Sequence, residues 1–172
     1  MSEKEKEDDL AQELDAILDS YDKNNEVKQD NVDEEQIQEF LARFERIKVE
    51  TIRPTMEQVG KYLEKRGHLY QIKDKADIHE DNPSITMEIY PRTSNDVPIQ
   101  EHEFPTISFI AEPDVGAVGI EVRDGMPGRP GLTRGHTTTL DALTGEYVKN
   151  QIVAVIKINF SRKIQKTLND LL

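Results

Sequence analysis

Thr106-Ile107-Ser108-Phe109-Ile110-Ala111-Glu112-Pro113-Asp114-Val115-Gly116-Ala117-Val118-Gly119-Ile120-Glu121-Val122-Arg123 is the stretch from which the fold can be read. Side chains alternate faces along a strand, so Ile107, Phe109 and Ala111 would share the buried face with Val118, Ile120 and Val122. Between the two runs, Pro113-Asp114-Val115-Gly116 is turn-forming: proline presets one backbone angle and glycine supplies a positive one. The segment is therefore predicted to be an antiparallel hairpin, Thr106–Glu112 and Ala117–Arg123, with one apolar face.

Working outward, Ser84–Tyr90 alternates in the same way, with Ile85, Met87 and Ile89 against Thr86, Glu88 and Tyr90. Leu69–Ile72 is a short candidate strand, and His136–Leu140 is β-prone through its threonines. Alternation with one apolar face suits an antiparallel sheet covered on one side.

Helical periodicity flanks this β region. Ile37, Leu41, Phe44, Lys48, Ile52, Met56, Val59 and Leu63 continue one stripe, joined by Phe40 and Tyr62. Pro54 interrupts the run but falls on the opposite face, so one long helix over 33–66 is predicted, kinked near 50–54. Asp33 with Gln36 forms a capping box at its start, and Gly67 is the natural stop after Lys65 and Arg66. A second helix is predicted over 144–168, with Thr144 as its N-cap. Its buried stripe is Val148, Ile152, Val155, Ile156 and Phe160, interrupted by Asn159 and Lys163. A flanking apolar line, Val153, Ile164, Leu168 and Leu171, calls for cover of its own. The expected fold is α+β: an antiparallel sheet of four or five strands, with the long kinked N-terminal helix and the C-terminal helix packed on one face.

Residues 1–31 differ in composition, and the division expected is an acidic, largely disordered tail (1–31) before a single α+β domain (32–172). The formal charge of −12 sits almost wholly in residues 1–35, which hold 14 acidic and 4 basic side chains. Such a composition favours a solvated chain. Within it, Leu10, Leu14, Ile17, Leu18 and Tyr21 recur at helical spacing, a short amphipathic segment over 10–21. An isolated helix shorter than about 12–15 residues is marginal in water, so this segment needs a surface to dock on. Either its own domain or a partner's groove can supply one.

Without cysteine, disulfides, thiolate nucleophiles, zinc–thiolate sites and Fe–S clusters are excluded. No run of roughly 18 apolar residues exists to span a bilayer, and the N-terminus lacks a signal-type apolar stretch, so no membrane partner and a cytoplasmic location are expected. Residues 36–172 are nearly neutral, which equips them poorly for nucleic acid.

Few segments carry chemistry. The Gly/Pro-rich loop 125–136 presents Arg129, Arg134 and His136, which suit an anionic ligand if they converge. It lacks the Lys-Ser/Thr of a phosphate loop and follows no parallel strand, so the plainer reading is a hairpin connection. His79-Glu80-Asp81 and Glu101-His102-Glu103 offer metal donors at spacings that match no zinc or calcium pattern. No serine elbow is present, and no cofactor is implied. The function expected is a non-enzymatic protein-binding module (adaptor, chaperone-like or regulatory subunit), with a protein partner or a second copy as its ligand. Its contacts would be Leu10, Leu14, Ile17, Leu18, Tyr21, Val153, Ile164 and Leu168. The rival is an enzyme or small-anion binder using loop 125–136, and a third reading is an acidic inhibitor that imitates nucleic acid.

Overall fold

A computed structural model describes the backbone of residues 3–30, 34–76, 82–92, 104–125 and 133–170, and within these the side chains of all but 3–7, 24–30 and 162–170. Five strands form one antiparallel sheet in chain order: β1 (Leu69–Lys75), β2 (Ser84–Tyr90), β3 (Thr106–Glu112), β4 (Ala117–Arg123) and β5 (Thr133–Thr138). The fold is α+β. The hairpin has the bounds and register its alternation implies, with Ile107 opposite Val122, Phe109 opposite Ile120 and Ala111 opposite Val118. The turn lies at residues 113–116, where Gly116 takes a φ of 64°.

Two strands differ from their sequence reading. β1 runs three residues past Ile72, through Lys73, Asp74 and Lys75. β5 begins at Thr133 and ends at Thr138, so the loop expected over 125–136 is shorter, and Leu140 lies in the turn that follows.

The helices are α1 (Glu3–Asp30), α2 (Glu34–Ile47), α3 (Arg53–Lys65) and α4 (Gly145–Asp170), with a π-helical turn at Lys48–Ile52 joining α2 to α3. Pro54, in the first turn of α3, has no N–H and would crowd the carbonyl four residues back. The widened turn accommodates it, with the Arg53 N–H donating to Lys48 O, five residues earlier. Gly67 closes α3 at φ 85°: its N–H donates to Glu64 O (3.0 Å) while His68 N–H donates to Leu63 O (3.1 Å). That pair of hydrogen bonds is the Schellman stop, and it needs a residue tolerant of the left-handed region. Thr144 caps α4, its Oγ1 accepting from Tyr147 N–H at 3.2 Å. The expected capping residue Asp33 lies outside the described residues.

The chain divides into two compact units, Met1–Gln38 and Glu39–Leu172. In the second, the helical segments and the sheet contribute to one core. Phe44, Ile52, Met56, Ile152 and Val148 meet Ile85, Met87, Ile107, Phe109, Val118 and Ile120, all without solvent exposure. Lys48 continues the same stripe and is equally buried.

Candidate functional site

Three surfaces of the chain carry more chemistry than a covered core requires. The first is on α1, in the N-terminal unit. From Glu3 to Asp30 the sequence holds no glycine or proline and opens on acids that suit the positive end of the helix dipole. The helix is longer than the segment 10–21 that marks its apolar side. At about 100° per residue, Leu10, Leu14, Ile17, Leu18 and Tyr21 fall within an arc of about 100°. All five are exposed, by 49–63%. Asp8, Asp9, Glu13, Asp15, Asp19 and Asp22 surround that stripe. The result is a narrow apolar ridge on an acidic helix.

The second surface lies between β5 and α4, where a cavity of about 280 Å³ opens. Arg134 and His136 stand two residues apart on β5 and line it together, facing Gln151, Ala154, Val155 and Ile158 of α4. Arg134 Nη2 is 3.1 Å from Asp124 Oδ1, and the Asp124 side chain is 1% exposed. His136 Nε2 is 3.5 Å from the Tyr147 hydroxyl. Asn159, which interrupts the apolar stripe of α4, is buried beside this site. Its Oδ1 accepts from Gly125 N–H (3.0 Å) and its Nδ2 donates to Val155 O (2.8 Å). A buried amide so satisfied fixes the start of the loop against the helix. Arg129, the third residue of the expected anion site, lies outside the described residues.

The third surface is the polar face of the sheet, which the sequence reading did not single out. Register brings Thr86 beside Ser108, Glu88 beside Thr106 and Thr106 beside Arg123. These residues line a groove of about 260 Å³ with Glu121 and Thr133. Thr86 and Ser108 share a hydrogen bond at 2.7 Å. Glu88 is almost wholly buried there, yet it pairs with Lys73 Nζ at 2.7 Å and accepts from the Tyr90 hydroxyl at 2.5 Å. Burial pushes its carboxyl up, but the bonds from Lys73 and Tyr90 and the charges of Lys73 and Arg123 outweigh that and hold it below the usual carboxylate value.

A further charged cluster sits at the helix side of β1. Lys48 Nζ is 2.7 Å from both Asp74 Oδ1 and Glu45 Oε2, and Arg53 Nη2 is 3.1 Å from Asp74 Oδ2. Burial again raises the Asp74 carboxyl, and the bonds and charges of Lys48 and Arg53 reverse it to a net lowering. Its bonds make the cluster a structural tie between the π-helical turn and β1.

Among the remaining expected sites, Val153 is 46% exposed on α4, while the side chains of Ile164 and Leu168 are outside the described set. Both acid–histidine clusters also lie outside the described residues, and among those described no group of three or more His, Asp or Glu is placed to hold a metal ion. His68 accepts a hydrogen bond from Arg92 N–H at 2.8 Å and meets Phe160 edge-on, which accounts for it as a packing residue. Among the described residues no helix is long and apolar enough to cross a membrane. No protein family, no curated protein and no solved structure matches the chain.

Proposed function

We propose that this chain is a non-enzymatic protein-binding module, an adaptor, chaperone-like protein or regulatory subunit, with α1 as its recognition helix. The observation that carries the reading is the ridge of Leu10, Leu14, Ile17, Leu18 and Tyr21, exposed along one side of α1. An amphipathic helix that offers anchors at i, i+4, i+7, i+8 and i+11 is the form in which helices enter apolar grooves. Surrounding carboxylates favour a groove with a basic rim, and they supply long-range steering toward it.

Photo-crosslinking tests this directly. A photoreactive residue is placed at Ile17 in one protein and at Asp15, on the far side of the helix, in another. A discrete adduct from position 17 and none from position 15 is the expected result, and the adduct's mass separates a partner from a second copy. Equal labelling from both positions, or none from either, refutes the reading.

A second reading has an observation of its own. Arg134 and His136 line one cavity with an apolar floor, which suits a small anion with an apolar body. Calorimetric titration with short monocarboxylates and inorganic phosphate tests it, and absence of heat at millimolar concentration removes it.

A further inference from the structure

A five-stranded sheet has two edges, and this sequence treats them differently. β1 carries Lys73, Asp74 and Lys75 in its second half, with Lys73 bonded to Glu88 and Asp74 to Lys48 and Arg53. Charged side chains, lysine above all, are how sheets guard an open edge against pairing. β5, Thr133-Arg134-Gly135-His136-Thr137-Thr138, has no lysine, no proline and no bulge. It pairs with β4 residue for residue from Thr133 opposite Arg123 to Thr138 opposite Val118. Residues 133–137 are exposed and Thr138 is half-buried. Among the described residues β5 is hydrogen-bonded to β4 alone, and half of its backbone donors and acceptors point outward.

Beside that edge is the cavity between β5 and α4. We infer that β5 is a docking edge, taking an extended acidic peptide as a sixth strand whose alternate side chains enter the groove toward α4. Backbone bonds supply the affinity in such strand addition, and pockets for alternate side chains supply the selectivity. Charge selects the occupant. Arg134 and His136 stand on the groove side of β5, and a residue directly opposite on an added antiparallel strand has its Cβ about 4.5–5.5 Å away. Carboxylates at alternate positions of the incoming strand meet both. Asp124 is buried beneath Arg134 and holds its guanidinium, so the surface that meets the new strand is the half-exposed guanidinium and the imidazole. A second copy pairing through β5 would instead set Arg134 and His136 against basic residues, an unfavourable cross-strand arrangement. This surface is separate from the α1 ridge, so the two proposals stand or fall independently.

The experiment titrates the full chain into a labelled eight-residue peptide of alternating glutamate and valine, read by fluorescence anisotropy. A lysine–valine peptide and two N-methylated glutamate–valine peptides, methylated on opposite alternate amides, serve as comparisons. Binding of the acidic peptide is expected to be at least about tenfold tighter than that of the basic one. One methylated set should bind about tenfold more weakly and the other almost unchanged, because one set of amides faces the edge. Hydrogen exchange at residues 133–138 should slow on binding. R134E weakens binding, and H136E does the same without disturbing Asp124, which separates the contact from a folding defect. The inference is overturned by no binding, by equal binding of acidic and basic peptides, or by equal effects of both methylations. Slowed exchange elsewhere, or a chain already dimeric through β5 without peptide, also overturns it.

Discussion

Removing Asp74 should harm the fold more than removing the lysine it pairs with, and the structure gives the reason and the size. The Lys48 side chain is 1% exposed, and its ammonium sits 2.7 Å from Asp74 Oδ1 and from Glu45 Oε2. Taking one partner from a buried pair strands a desolvated charge, at a cost of about 3–5 kcal/mol when nothing else compensates. In D74A the half-exposed Glu45 remains beside Lys48, so about 2–3 kcal/mol is expected. K48M removes the charge, keeps the unbranched stem in the core and leaves Asp74 to Arg53 at 3.1 Å. Replacing a buried charge with an apolar side chain of similar volume is often nearly neutral, so about 0–1 kcal/mol is expected. The double variant should cost close to what K48M costs alone, giving a coupling of roughly 2 kcal/mol. Urea denaturation of the full chain, followed by far-UV circular dichroism, measures all four proteins. With slopes of about 1–3 kcal/mol per molar, D74A should lose about 1–2 M in midpoint while K48M moves little. A larger loss in K48M than in D74A, or strict additivity in the double variant, refutes the reasoning.

Two more expectations follow from close contacts. Gly60 is buried in α3 against the Tyr70 ring, and a Cβ there would lie 2.5 Å from ring atoms Cε1 and Cε2. Alanine normally stabilises a helix interior by about 1 kcal/mol over glycine. Here G60A should instead destabilise by about 1–3 kcal/mol in the same urea assay, and Y70L should restore most of the loss. Asp74 and Glu88 are both held below their unfolded values, so the unfolded chain binds their protons first as pH falls. Their contribution is complete above roughly pH 5 and fades as pH drops through the lowered folded values. The urea midpoint of the parent should therefore fall more steeply below about pH 4 than that of a D74N/E88Q variant, and parallel curves would contradict the assignment.

Where one face is apolar and the period is two, the sequence was legible to the residue. β2, β3 and β4 have the bounds their alternation implies, because a one-residue slip would turn every apolar side chain to the solvent. Gly67 and Thr144 were legible because a Schellman stop and an N-cap are local chemistry. β1 was read short because Lys73-Asp74-Lys75 has no strand signal of its own. Its extension rests on Glu88, Lys48 and Arg53, which are distant in the chain. Helical phase placed Lys48 on the apolar stripe, but nothing local could say that Asp74 would neutralise it. β5 was misplaced toward its threonines because the strand begins at Arg134's neighbour Thr133, inside a stretch that composition marks as loop. The polar groove was illegible for the same reason as β1: Thr86, Ser108 and Arg123 become neighbours only through register.

The difference between the sheet's edges has a physical source in those same long-range pairs. β1 is tied twice, on one face by Lys73 to Glu88 and on the other by Asp74 to Lys48 and Arg53. Both ties fix charged side chains along the strand's second half, and charges on a sheet edge deter a further strand. Its first half is held from the helix side by the Tyr70 ring against Gly60, where burial and the charges of Glu64 and Glu57 push the phenol's pKa up. Among the described residues the ion pair of β5 is Arg134 to Asp124, and it lies on the groove side rather than along the edge. A bond to a buried carboxylate fixes where the guanidinium points without covering the backbone beside it. An edge meant to stay unpaired gains nothing from an oriented cation next to its open amides. An edge that receives a strand gains a fixed contact for the first carboxylate to arrive, with its rotamer freedom already lost in folding. On that ground the asymmetry reads as a surface arranged for pairing rather than one left unguarded.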